Sequence, residues 1–138
     1  MKKIINGLFI GLILIAVGCV SAPETKDTAV DAIDEGSVRL HYQRMDNDYT
    51  GWGLHIWGAG YDGDTVNWGE AVMPTGSDDY GVYWDIPFNG EDDLNFIIHN
   101  GDTKDPDGDR AFTDLDMYNE FWAVSGDSEL YTSAEDAL

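Results

Sequence analysis

Apolar and polar residues begin to alternate at Val38. Val38, Leu40 and Tyr42 fall on one side of an extended segment and Arg39, His41 and Gln43 on the other, because successive strand side chains point to opposite faces. The turn formers Asn47-Asp48-Tyr49-Thr50-Gly51 end that strand, and alternation resumes from Trp52 to Trp57. The same pattern predicts strands over residues 81–86, 94–99 and 120–124, with a last one at 129–132. Residues 58–79 are too many for a hairpin turn and are rich in Gly and Asp, so a long mobile loop carrying Trp68 is expected there. Short strands separated by Gly, Asp, Asn and Pro predict an all-β fold: an antiparallel β-sandwich, immunoglobulin-like.

Upstream of Ser37 the pattern is of another kind. Met1-Lys2-Lys3 and the apolar stretch Leu8 to Val17 read as a bacterial secretory signal over residues 1–18, too short to be read as a membrane span. Cys19 is the only cysteine and follows Ala16-Val17-Gly18, a sequence that resembles a lipobox. Cleavage before Cys19 would leave it as a lipid-bearing N-terminus that anchors the protein to a membrane, since more than one acyl chain is needed for stable attachment. The alternative is an incidental cysteine in an ordinary signal peptide or a signal anchor. Residues 19–36 are small, polar and acidic without an apolar period, and read as a flexible tether. Residues 37–134 remain as one module, about 100 residues with one hydrophobic core.

Composition narrows the function. With 27 acidic residues against 7 basic ones, the formal charge is −20, which repels nucleic acid phosphates and excludes nucleic acid as a partner. An aromatic content of 12% with five Trp separates the module from acidic disordered chains. There is no Gly-x-Ser-x-Gly, no His-Glu-x-x-His and no phosphate-binding loop, and a sandwich of this size seldom forms a cleft that excludes water from a sugar; no enzyme activity is expected. The run Asp105-x-Asp107-x-Asp109 invites a calcium reading, but Arg110 stands where an EF-hand loop requires Gly. Neither a metal nor a cofactor is expected.

Chemistry concentrates in Gly51-Trp52-Gly53-Leu54-His55-Ile56-Trp57. Alternation assigns Trp52, Leu54 and Ile56 to the core and leaves His55 and Trp57 on the opposite face, ~6.5–7 Å apart by the strand rise. Two flat rings at that spacing offer a platform for the apolar face of a pyranose. Burial of Trp57 beneath the loop at 58–79 accounts for the same pattern, and alternation does not decide between the two.

Taken together, His41-Tyr42-x-Arg44, Tyr49 through Trp57, Asp78-Asp79-Tyr80-Gly81, Gly101-Asp102-Thr103-Lys104-Asp105, Asp109-Arg110 and Glu120-Phe121-Trp122 resemble the bacterial pullulanase-associated domain, carbohydrate-binding module family 41. The resemblance covers nearly all of residues 38–133 in order. It implies a β-sandwich that binds α-glucans such as pullulan, amylopectin and glycogen. It also implies that Trp57 and His55 occupy the two stacking positions, with His55 replacing a tryptophan found in many members, and that Lys104 and Asp109 hydrogen-bond glucose hydroxyls. The expected protein is therefore a stand-alone, non-catalytic lipoprotein at the cell surface or outer membrane. It would hold α-1,4- and α-1,6-linked glucan for separate glycoside hydrolases. A structural or assembly lipoprotein that has kept the sandwich without the ligand is the other reading.

Overall fold

The computed structural model describes residues 32–138; the predicted signal segment, Cys19 and most of the predicted tether lie outside the described residues. Within them the chain forms strands β1 (Ser37–Gln43), β2 (Gly53–Trp57), β3 (Gly76–Ser77), β4 (Val82–Pro87), β5 (Asn95–Asn100), β6 (Thr103–Lys104), β7 (Arg110–Ala111) and β8 (Glu120–Val124), and no helix. The first sheet has the order β3-β4-β1-β8; the second has β2-β5-β6, with β7 also paired to β5. The sandwich is all-β, as the alternation predicts. One pairing departs from an antiparallel scheme, because β8 runs parallel to β1, with Leu40 opposite Phe121 and Tyr42 opposite Ala123.

The inner faces make the core. Val38, Leu40 and Tyr42 of β1 meet Ile86, Trp84 and Val82 of β4 across the first sheet, and Leu54 and Ile56 of β2 meet Ile98 and Phe96 of β5 across the second. All ten are buried, as is Trp52 just before β2. Full burial of each aliphatic or aromatic side chain contributes about 1.5–3 kcal/mol against the conformational entropy of ordering.

The two outer faces differ. On the first sheet, Arg39 and His41 are only 2% and 3% exposed. Arg39 forms a two-point ion pair with Asp85 (2.6 and 2.9 Å) and lies over the Tyr83 ring. His41 stacks on Trp122 at 5.0 Å, with its ring nitrogens each 2.8 Å from a carboxylate oxygen, of Asp78 and of Glu120. Both side chains thus stand against carboxylates. The second sheet carries a separate group of half-buried rings, His55 and Trp57 among them.

The chain between β2 and β4 is tied down at several points, which a Gly- and Asp-rich composition does not suggest. Val72 exchanges two backbone hydrogen bonds of 2.9 Å with Leu54, adding a rung to the free edge of β2. The Trp84 indole donates to the Val72 carbonyl at 2.8 Å, and residues 76–77 then pair with β4. Gly53 makes this approach feasible, because a Cβ there would lie 2.6 Å from the Ala71 Cβ. The strand predicted over 129–132 is reduced to one bridge, Tyr131 to Trp122.

Candidate functional site

Register decides which side chains meet on the outer face of the second sheet. His55 stands opposite Ile97, Gly53 opposite His99 and Trp57 opposite Asn95; directly opposed residues share a face. On the far side of β5, His99 pairs with Lys104 and Phe96 with Arg110. Lys104 therefore joins His99 on the outer face. Arg110 turns inward with Phe96, its guanidinium 5.1 Å from that ring, and so Asp109, one residue earlier, turns outward again. Residues 105–109 loop out between two short strands on the same edge of β5, which brings Lys104 Nζ to 3.8 Å from Asp109 Oδ1.

Asp105 holds that loop. Its carboxylate is buried and accepts hydrogen bonds from the hydroxyls of Tyr42 and Ser125, from Gly126 N at 2.6 Å and from Arg44 Nη1 at 3.1 Å. Burial alone would raise its pKa; the bonds from Ser125, Tyr42 and Gly126 and the Arg44 charge outweigh that and hold it below the usual carboxylate value. Its oxygens are thus committed inward, away from Asp107 and Asp109, and the three do not converge on a common cation.

On the face itself, His55 and Trp57 have ring centroids 5.3 Å apart and tilted by 36°. Trp57 is half-buried, and loop residues Tyr61, Thr65 and Val66 border a hollow of about 250 Å³ beside it rather than closing over it. Trp68 stands edge-on to His55 at 5.5 Å and 67°. It stacks on His99 at 4.0 Å and 11°, and its indole N–H donates to Asp102 Oδ1 at 3.0 Å. Lys104 Nζ lies 5.6 Å from the centre of the same ring. A continuous series of contacts therefore joins Trp57, His55, Trp68, Lys104 and Asp109.

Burial lowers the His55 pKa below the ordinary histidine value; His99 lowers it further, and Asp109 acts in the opposite sense. At neutral pH the imidazole is uncharged, with one nitrogen free to accept. His99 Nδ1 lies 2.8 Å from the Gly101 carbonyl. A carbonyl only accepts, so Nδ1 carries a proton.

The residues singled out in sequence, His55, Trp57, Lys104 and Asp109, are all on this face. The sequence does not mark Trp68, His99 and Asp102 as site residues. Trp68 had one signal, a large apolar ring in an otherwise polar loop; the other two become visible only through register and the turn at Gly101.

The family described as bacterial pullanase-associated domain matches residues 36–132. An α-amylase of Streptomyces lividans is 37% identical over 83 residues, 59% of this chain and 9% of the relative; the chain thus spans less than a tenth of that protein's length. A solved structure concerned with alpha-glucan binding by a streptococcal virulence factor superimposes with a TM-score of 0.65 at 26% identity, over 72% of this chain and 48% of the other. Another, on alpha-glucan recognition by family 41 carbohydrate-binding modules from streptococcal virulence factors, gives 0.69 over 78% of this chain and 52% of the other. Its 20% identity speaks to the fold alone.

Proposed function

We propose, from the premise that this chain belongs to the bacterial pullulanase-associated domain family, that it is a non-catalytic module that binds α-glucans through the outer face of its second sheet. The observation that carries this reading is the contiguous arrangement of Trp57, His55 and Trp68 beside Lys104 and Asp109. The rings are tilted by 36° and 67° to their neighbours, so they do not form one flat plane. A curved α-linked glucan can meet rings set at angles to one another, whereas a flat β-1,4-linked chain calls for coplanar ones. Each glucose lays its C–H face on a ring, and the hydroxyls at its edge need polar partners. Lys104 donates and Asp109 accepts. At 3.8 Å they stand farther apart than a hydrogen bond, so both retain capacity for charge-assisted bonds to hydroxyls.

The module holds glucan without cleaving it. A glycosidase needs two carboxyl groups on either side of the scissile bond, whereas here Asp109 faces Lys104 and Asp102 holds the Trp68 indole. We further propose that Cys19 carries a lipid anchor and that the module retains starch-like polymer at the cell surface for separate glycoside hydrolases. Incorporation of radiolabelled palmitate that is lost in Cys19→Ala supports the anchor; equal labelling of both proteins contradicts it.

Native gel electrophoresis with amylopectin, pullulan, glycogen or cellulose in the matrix tests the binding. Retardation by the α-glucans and not by cellulose is expected. Unchanged mobility in every α-glucan overturns the proposal in favour of a scaffold without a ligand.

A further inference from the structure

Trp68 has a groove at its side. This groove, of about 340 Å³, is lined by Trp68, Glu70, Ala71, Met73, His99 and Asp102, among others. It lies at the Gly51 end of the site, whereas the hollow beside Trp57 lies at the other end of β2. Trp68 lines this groove and stands edge-on to His55, which lines the hollow, so the aromatic face continues beyond the cluster formed by Trp57, His55, Lys104 and Asp109.

Two properties of the groove indicate its occupant. One wall is apolar: Trp68, Ala71 and Met73, the last 55% exposed. The carboxylates of Glu70 and Asp102 accept hydrogen bonds, and each keeps one oxygen beyond the bonds from Asn67 and Trp68. His99 is only 2% exposed, and its Nε2 is buried without a hydrogen-bond partner. Two carboxylates with free oxygens suit a neutral ligand rich in hydroxyl donors and repel an anion. An apolar surface facing such acceptors matches the two sides of a pyranose.

We propose that this groove is a further glucosyl subsite, occupied by the continuation of the same glucan chain that lies on Trp57 and His55, with Trp68 as the wall shared between them. The proposal rests on the α-glucan reading above and extends it in length. Binding should therefore strengthen with chain length after the first face is filled, and the gain should depend on groove residues that short oligosaccharides do not touch.

Calorimetric titration of the full chain with linear malto-oligosaccharides of increasing length, for the wild type, Gly69→Phe and Met73→Ala, tests this. Gly69 is at the groove rim, and a Cβ there meets nothing within 4 Å, so Phe fills the groove without displacing the fold. Met73 is exposed enough for truncation to be tolerated, which provides a second variant should the first fail to fold. The expected result is wild-type affinity for the shortest oligosaccharide that binds in both variants. For the longest, a loss of roughly tenfold is expected in Gly69→Phe, about 1.4 kcal/mol, and a smaller loss in Met73→Ala. Wild-type affinity that does not rise with length, or variants that keep the full gain, overturns the subsite and leaves the α-glucan reading intact. Absence of binding at every length overturns that reading too.

Discussion

At the scale of single residues, the site depends on aromatic rings held by specific neighbours. Trp57→Ala removes a stacking surface, and since such anchors dominate binding, affinity for glycogen measured by affinity electrophoresis should fall at least roughly tenfold; an unchanged midpoint contradicts the assignment. His55 makes the site pH-sensitive in a defined direction. Burial, aided by His99, holds its pKa below the ordinary value of about 6.5, so the neutral ring persists to more acid pH than a free histidine. Affinity should be flat from pH 8 to about 6.5 and decline only below that, and the decline should be absent in His55→Phe. Identical profiles for the two proteins contradict a role for the imidazole. The linkage to stability has the same sense. The folded state binds fewer protons at this position than the unfolded one, so its contribution is complete above about pH 6.5 and is lost as pH falls towards the lower folded value.

At the scale of elements, strands of five or more residues were legible from sequence and the two-residue ones were not. β1, β2 and β4 alternate and β5 and β8 carry short apolar runs, whereas β3, β6 and β7 are too short to show a pattern. Alternation also reads the same in parallel and antiparallel ladders, which hid the parallel pairing of β8 with β1. His55 and Trp57 were legible because they lie on a periodic strand. Trp68 was not, because a loop has no period, and its place over His99 depends on the rung between Val72 and Leu54. Lys104 and Asp109 came from family resemblance; their approach results from β6 and β7 sharing one edge of β5. Asp105 secures the intervening loop. Asp105→Ala leaves Arg44, Tyr42, Ser125 and Gly126 without their common acceptor and should cost about 3 kcal/mol in urea unfolding; a change within experimental error contradicts that role. Because the carboxyl is held below its usual value, this stabilisation is complete above about pH 4 and is lost as pH falls through the lower folded value.

At the scale of the whole molecule, a formal charge of −20 selects against anionic polymers while leaving a neutral glucan unaffected at long range. Affinity for glycogen should accordingly change less than about twofold between low and high salt, and a steep salt dependence would point to an ionic ligand. The two sheets divide the work. The first pairs the charged groups of its outer face, Arg39 with Asp85 and His41 with Glu120; the second gathers rings beside Lys104 and Asp109. The most direct test of this division follows the indole N–H signals of the five tryptophans by nuclear magnetic resonance during titration with maltotriose. The account predicts that Trp57 and Trp68 shift while Trp52, Trp84 and Trp122 stay in place. Absence of any shift, or movement confined to Trp122 on the other sheet, would contradict it.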